Sequence, residues 1–181
     1  MTARHVALLR GINVGRAKRV GMADLRDLVA ALGYRDVRTF LNSGNVIFTA
    51  PVTVRGDAGP RIQEALGARL GVSSRVTVLT AAEMTAVVQE NPFRQGASDP
   101  SRLLVAFLAT PEDCVRLQHL PDRAWSPEAL ALGSRAAYIW CPDGIVHSSA
   151  VEAVGRAAGD AVTMRNWRTV TKLHALLGEG A

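Results

Sequence analysis

Val37-Arg-Thr-Phe-Leu-Asn-Ser-Gly-Asn-Val-Ile-Phe-Thr49 holds two strand-like runs on either side of a polar turn. The runs are Val37 to Leu41 and Val46 to Thr49, and both carry residue types that strands favour. Between them, Asn42-Ser-Gly-Asn45 supplies residues that tolerate the positive φ of tight turns. The stretch therefore predicts a β-hairpin, around which the first half of the chain is organised.

Helix and strand patterns on either side of the hairpin complete a recognisable order. His5 to Leu9 is an apolar run that predicts a first strand, and the apolar spacing from Met22 to Leu32 predicts a helix. After the hairpin, the chain from Ile62 to Leu70 indicates a second helix, and Arg75 to Leu79 alternates like a strand. The order is βαββαβ, which is typical of an antiparallel ferredoxin-like sheet in the α+β class.

The second half of the chain is predicted to repeat this order. The first ferredoxin-like half, expected at residues 1–91, ends with an extra helix at Ala81 to Gln89. A polar linker at 92–100 separates it from the second ferredoxin-like half, expected at residues 101–181 with a terminal helix. The pattern leaves open whether the halves share one sheet or form two. The elements predicted for the second half are a strand at Leu103 to Ala109, a helix at Glu112 to Gln118, strands near Ala129 to Leu132 and Ala137 to Trp140, a helix near Val151 to Ala158 that Ser148-Ser149 caps, a strand at Ala161 to Met164, and a C-terminal helix at Asn166 to Leu177.

The composition is that of a globular chain. Of its 181 residues 48% are hydrophobic and 20% charged, a balance that disordered chains lack. The longest apolar runs are too short to cross a bilayer and the start of the chain lacks a signal-peptide pattern, so we expect a cytoplasmic protein and no membrane partner. Cys114 and Cys141 are too few and too far apart for a metal cage, and we expect neither a metal nor a cofactor.

The formal net charge of +5 permits binding to nucleic acid or to small anions but does not require it. Lys18 and Lys172 are the only lysines, and the other 19 of the 21 basic residues are arginines. Such a bias also arises from codon usage. Nucleic-acid binding is therefore an alternative that the charge alone does not favour.

The segment Arg10-Gly-Ile-Asn-Val-Gly-Arg-Ala-Lys-Arg19 follows the first predicted strand. Its glycines allow close approach of the backbone to a ligand, and its basic side chains can donate charge-assisted hydrogen bonds to phosphate or carboxylate. It lacks the Gly-Lys-Ser/Thr ending of a Walker loop and the spacing of a dinucleotide fingerprint. A solvated basic turn is the alternative interpretation.

Two further segments concentrate polar side chains. Asn42-Ser-Gly-Asn45 could present amides to a ligand, although turn formation alone accounts for all four residues. Arg165-Asn-Trp-Arg-Thr-Val-Thr-Lys172 lies at a predicted helix N-terminus, where free N–H groups favour an anion. The alternative for the latter is a capped amphipathic helix with Trp167 as a packing anchor.

At these segments the chain resembles the bacterial family called domain of unknown function 1697. The resemblance covers nearly the whole sequence and implies ferredoxin-like halves, but it implies no activity, cofactor or partner. The residues that carry it include Leu8-Leu-Arg-Gly-Ile-Asn-Val-Gly15, Asn42-Ser-Gly-Asn45, Asn91-Pro-Phe93 and Arg165 to Leu173. This chain departs from the family at Arg16, which replaces a second glycine, and at His147-Ser-Ser-Ala150, which replaces Arg-Ser-Lys-Leu.

The leading hypothesis is a protein that binds a small anion, either a nucleotide or a phosphorylated metabolite. In this hypothesis, one site is shared by the segments Arg10–Arg19 and Arg165–Lys172. Nucleic-acid binding is the first alternative. An enzyme of phosphate chemistry is the second, although the sequence shows no paired nucleophile and base and no carboxylate cluster. The sequence leaves the oligomeric state open. The predicted ligand-binding residues are Arg10, Asn13, Gly15, Lys18, Ser43, Asn45, Arg165, Asn166, Thr169, Thr171 and Lys172.

Overall fold

The computed structural model describes residues 3–15, 19–54 and 56–179. Contacts within the chain group these residues into two compact units. Unit 1 comprises the chain up to Ala82 together with the segment from Ala175, and unit 2 comprises Glu83–His174. Each unit contains a four-stranded sheet, which answers the open question: the two halves form two sheets. The predicted boundaries and the linker at 92–100 stay predictions.

Unit 1 has the predicted βαββαβ order and an antiparallel sheet of strand order β2-β3-β1-β4. This arrangement confirms the ferredoxin-like fold of the first half. Its elements are β1 (Ala3–Leu9), α1 (Met22–Ala31), β2 (Arg35–Phe40), β3 (Asn45–Ala50), α2 (Ala58–Ala65), which continues into a π-helical turn (Leu66–Leu70), and β4 (Val76–Thr80).

The core of unit 1 lies between this sheet and its two helices. Alternate residues of the central strands, among them Leu9 of β1 and Phe48 of β3, are fully buried in one apolar cluster with Leu25 of α1 and Ile62 of α2. Alternate residues of these strands belong to this cluster because successive side chains point to opposite faces of the sheet, and the helices contribute residues spaced three or four apart. The ring of Tyr34 packs against Phe48 with 4.6 Å between centroids.

Unit 2 repeats the topology, with strand order β6-β7-β5-β8 and antiparallel pairing throughout. Each sheet is followed directly by a helix, α3 after β4 and α5 after β8. The remaining elements are α3 (Ala81–Glu90), β5 (Leu103–Leu108), a 3-10 helix (Pro111–Leu117), β6 (Ala129–Leu132), β7 (Ala136–Trp140), α4 (Ser149–Ala158), a short 3-10 turn (Gly159–Ala161), β8 (Val162–Asn166) and α5 (Trp167–Gly178). No helix among the described residues has the length and apolar character needed to cross a bilayer.

The crossover between β5 and β6 differs from its prediction. The sequence predicts a helix at Glu112 to Gln118, and the structure forms a 3-10 helix at Pro111–Leu117. Pro111 occupies its first turn, and Thr110 and Asp113 form a reciprocal capping box. The start of the helix is thus well defined, but the segment is too short to gain much from α-helical propagation.

Helix α4 begins at the predicted serines, with Ser148 as its N-cap. The Ser148 Oγ accepts from Val151 N at 3.1 Å, and the Glu128 carboxylate accepts from Ser149 Oγ at 2.6 Å and Ala150 N at 3.1 Å. Burial of the Glu128 carboxyl raises its pKa, but hydrogen bonds from Ser148, Ser149 and Ala150 outweigh this effect, so the pKa lies below its ordinary value. A carboxylate from the β6 side therefore completes the cap of α4.

Glu128→Gln is expected to lower the free energy of unfolding at pH 7 by about 1 kcal/mol, because the amide is a weaker acceptor at this helix N-terminus. The pKa of Glu128 is depressed in the folded state, so its stabilisation is present above the unfolded pKa and is lost as pH falls through the folded pKa. Urea unfolding at pH 7 and at acidic pH should therefore show a difference between variant and wild type that shrinks on acidification. An equal difference at both pH values would contradict this role.

Gly44 closes the predicted hairpin between β2 and β3. It has φ of +78°, and a Cβ built there would lie 2.6 Å from Ile12 Cδ1 and 2.8 Å from Leu9 Cβ. Its carbonyl accepts from Leu9 N at 2.9 Å. Glycine is required here both by the left-handed backbone and by the close approach of the chain that leaves β1.

Gly44→Ala is expected to destabilise the protein by roughly 2 kcal/mol or more, through backbone strain and overpacking together. Gly67→Ala is the matched control, since a Cβ there meets nothing within 4 Å and the residue lies in a helical turn. We expect the control to be neutral or stabilising by about 0.5 kcal/mol. Urea midpoints of the two variants and the wild type give the comparison, and similar values for both variants would refute it.

Candidate functional site

The loop after β1 is anchored where the central strand of unit 1 ends. Arg10 N donates to Arg75 O at 2.9 Å, and the Arg10 carbonyl accepts from Ser74 Oγ at 2.9 Å. Ser74 is buried while Arg10 and Arg75 are exposed. The residue that directly follows β1 is therefore fixed beside the start of β4, and the loop leaves from a rigid position.

The side chain of Asn13 stabilises the loop through three hydrogen bonds. Its Nδ2 donates to Val20 O and to Asn42 O, each at 2.9 Å, and its Oδ1 accepts from Val20 N at 2.8 Å. Both N–H donors and the oxygen of this amide are thus engaged. Asn13 ties the end of the loop to its beginning and to the β2–β3 turn, a structural role that the sequence does not reveal.

Every second residue of the loop from Gly11 to Gly15 has a positive φ. Gly11, Asn13 and Gly15 have φ of +67°, +55° and +52°, whereas Ile12 and Val14, between them, do not have positive φ. In the described part of the chain, the main-chain N–H groups of residues 11–15 donate to no protein acceptor. A left-handed residue at every second position is one feature of backbone nests, in which successive N–H groups can converge on an anion.

Ile12 and Val14 point to opposite environments. Ile12 is 3% exposed and belongs to the apolar cluster of unit 1, whereas Val14 is 58% exposed. The buried Ile12 anchors the alternating segment against the core. The loop is therefore fixed against the core through Ile12 and exposed to solvent at Val14.

The β2–β3 turn lies against this loop, so the structure brings two of the three predicted segments together. Asn45 is fully buried and donates from Nδ2 to Phe40 O at 2.7 Å and to Ser43 Oγ at 3.0 Å. Its amide stabilises the turn, as the alternative interpretation of this segment states. Ser43 is half-buried beside it.

Arginines gather at this end of the sheet of unit 1. Arg19 donates from Nη1 to Asn13 O at 3.0 Å, which holds its guanidinium against the loop. Arg75 was missed as a site residue, although the predicted sheet could have indicated it, because β4 runs antiparallel to β1 and starts where β1 ends. Lys18 and Arg16 lie outside the described residues.

The segment Arg165–Lys172 belongs to unit 2, and its first residue is a buried cation. Arg165 lies on β8, is 9% exposed, and donates from Nη1 to Thr163 Oγ1 at 3.0 Å and to Met164 O at 2.8 Å. Burial disfavours the charged guanidinium and lowers the pKa of Arg165 to about 10. The side chain is still positively charged at neutral pH.

The rest of this segment forms the start of α5. Asn166 Oδ1 accepts from Thr169 N at 2.9 Å as a cap, and Thr171 Oγ1 donates to Trp167 O at 3.1 Å and to Arg168 O at 3.0 Å. Trp167 and Thr169 are each 8% exposed, and Lys172 is exposed. These contacts are those of a capped amphipathic helix, which is the structural alternative for the segment.

The two basic segments lie in different units, and a site shared between them stays a prediction. Among residues 3–15, 19–54 and 56–179, no group of three or more His, Cys, Asp or Glu is placed to hold a metal ion. Cys141 is buried and Cys114 half-buried, and burial raises the pKa of both thiols, which opposes thiolate chemistry.

Comparisons with known proteins agree with the fold. The family described as "Protein of unknown function (DUF1697)" matches residues 1–138, so the resemblance at Arg165 to Leu173 lies outside the matched part. The solved structure of a conserved bacterial protein from Streptococcus pneumoniae is similar over 99% of this chain and 100% of its own, with a TM-score of 0.72 and 24% identity. At that identity the similarity shows a common fold. No curated protein matches the chain.

Asn13→Gly is expected to loosen the loop, because glycine keeps the left-handed backbone while three hydrogen bonds are lost. The Val20 amide should exchange with deuterium roughly tenfold faster, given a loss of about 1.4 kcal/mol in local opening free energy. Asn13→Ala should be more destabilising, since alanine also disfavours φ of +55°. Unchanged protection of Val20 in Asn13→Gly would contradict the role assigned to this amide.

Proposed function

The chain belongs to the family described as "Protein of unknown function (DUF1697)", and we propose that it binds a small anion at the loop Gly11–Arg19. The ligand class is a nucleotide or a phosphorylated metabolite. The loop provides main-chain donors and arginine side chains, which are the groups that bind phosphate in proteins.

The alternating backbone of residues 11–15 is the observation that carries this proposal. Left-handed conformations at Gly11, Asn13 and Gly15 recur at every second residue. A polar turn needs no such regularity, and Asn13 is held in it by three hydrogen bonds of its own side chain. The protein thus fixes in advance a backbone that presents its N–H groups, which reduces the entropy lost on binding.

Arginine charge supports the same ligand class. Arg19 uses one N–H on Asn13 O, and a guanidinium carries five such donors. Arg75, anchored through its carbonyl to Arg10 N, adds a second exposed cation at this end of the sheet. Charge-assisted hydrogen bonds to phosphate are about twice as strong as neutral ones.

The nucleic-acid alternative has little support from exposed aromatic rings in the described part of the chain. Single-stranded RNA is recognised on ferredoxin-like sheets through exposed aromatic rings. Here Phe48, Phe107 and Tyr138 on the strands are fully buried. Phe40 and Trp140, each the last residue of its strand, are half-buried. The large hydrophobic side chains that are exposed are aliphatic. The second alternative, a phosphate-chemistry enzyme, would use the same loop but needs a reacting group that the loop does not supply.

Thermal shift with nucleotides and phosphorylated metabolites tests the proposal. A ligand at 100 times its Kd should stabilise the wild type by about 2.7 kcal/mol. Gly11→Ala and Gly15→Ala each disfavour the left-handed backbone by about 1 kcal/mol and should weaken binding roughly fivefold. Gly96→Ala is the matched control, because a Cβ there meets nothing within 4 Å and the backbone is not left-handed.

Two further variants test whether the segments Arg10–Arg19 and Arg165–Lys172 serve one site. Arg10→Ala and Lys172→Ala should both weaken the same ligand if the two segments serve one site, whereas an effect of Arg10→Ala alone would restrict binding to unit 1. If no phosphorylated compound shifts the melting temperature, or if the glycine variants bind as well as Gly96→Ala, the proposal fails.

A further inference from the structure

Unit 2 contains an open groove of about 410 Å³ between helix α4 and the segment from Arg116, in the 3-10 helix, to Arg123. Leu120, Ala153 and Ala157 provide its apolar lining. The two alanines are one helical turn apart on α4, and their methyl groups leave space that larger side chains would fill. Small-molecule sites have volumes of roughly 300–1,000 Å³, so the groove has the size of a ligand site.

Four basic side chains line this α4 groove, and no carboxylate does. Arg116 comes from the 3-10 helix, His119 and Arg123 from the turn after it, and Arg156 from α4. Three guanidiniums from three separate segments thus border one concave surface. Arginine guanidiniums suit a phosphate group, which they can bind in bidentate geometry.

Two of these arginines are already held in position. Arg116 Nη1 lies 3.4 Å from Ala158 O, and its Nε lies 3.6 Å from the Asp113 carboxylate. The Arg123 guanidinium stacks on Trp125 at 4.6 Å from the ring centroid, and the Trp125 Nε1 donates to Leu120 O at 2.7 Å. Little side-chain entropy is therefore lost when an anion is bound.

Carboxylates near the groove pair with two of its three arginines. Asp113 is paired with Arg116, and Glu152 with Arg156 across one turn of α4. The side chains of Arg156 and Glu152 are 75% and 70% exposed, and such exposed pairs contribute little and exchange readily. Arg123 interacts through its stack on Trp125 and keeps its charge available, with the exposed Asp122 beside it in sequence.

We propose that the α4 groove binds an organic phosphate, with the phosphate group on Arg123 and Arg156 and the organic part against Leu120, Ala153 and Ala157. This site is separate from the Gly11–Arg19 loop and does not depend on the function proposed there. An apolar wall beside a cationic rim distinguishes an organic phosphate from free inorganic phosphate, which has no group to place against the alanines.

Phenyl phosphate and inorganic phosphate are the probes for this proposal, titrated into the full chain labelled with ¹⁵N. Phenyl phosphate should shift the main-chain amides of His119, Ala153 and Ala157 and should bind more tightly than inorganic phosphate. Arg123→Gln and Arg156→Gln should each weaken phenyl phosphate roughly tenfold. Arg26→Gln, which removes an exposed arginine of unit 1 paired with Asp27, is the matched control and should leave binding unchanged.

The amides of Gly11 and Gly15 report on the loop in the same spectra, so the two sites are read separately. Arg19→Gln should leave the groove shifts unchanged. The proposal is overturned if the groove amides do not move, if inorganic phosphate binds as tightly as phenyl phosphate, or if the groove variants match Arg26→Gln. The proposal is also overturned if a single-stranded oligonucleotide shifts the same amides and binds more tightly than phenyl phosphate, because the groove would then bind a nucleic acid.

Discussion

Both sheets depend on a central strand that is hydrogen-bonded along both edges and buried on both faces. In unit 1 this strand is β1, paired with β3 and β4, and in unit 2 it is β5, paired with β7 and β8. Every residue of β5 is buried, so each of its main-chain polar groups must find a partner in a neighbouring strand. The pairing fixes the register, and the register determines which residues meet at the ends of the strands.

The site loop follows from this constraint in unit 1. Because β1 lies between β3 and β4, the chain that leaves it passes between the start of each neighbour. It is anchored on one side by Gly44 O and on the other by Arg75 O. The left-handed residues of the loop are then held by Asn13 and by the buried Ile12, so a polar segment becomes a fixed surface.

Several polar residues that suggested ligand binding in the sequence make hydrogen bonds that stabilise the fold. Asn45 completes the hairpin turn, Asn166 caps α5, and Thr171 bonds to the preceding turn of its helix. Asparagine and threonine serve such backbone contacts as readily as they serve ligands, and sequence alone does not separate the two roles. The arginines of the α4 groove are the opposite case. They come from three segments that carry no sequence motif, so the sequence did not indicate them as ligand-binding residues.

The sequence by itself determined the α+β class, the βαββαβ order of both halves, the hairpin at Gly44 and the serine cap of α4, because each rests on local periodicity or turn chemistry. It predicted a helix at Glu112 to Gln118 but not its type, since a proline and a capping box define a short 3-10 helix there. Only the tertiary structure decided that there are two sheets, that Asn13 bonds to Asn42, that Arg75 lies beside Arg10, and that Arg123 stacks beside α4. These relations join residues far apart in the chain, and they are set by strand register and helix packing, which local residue patterns do not encode.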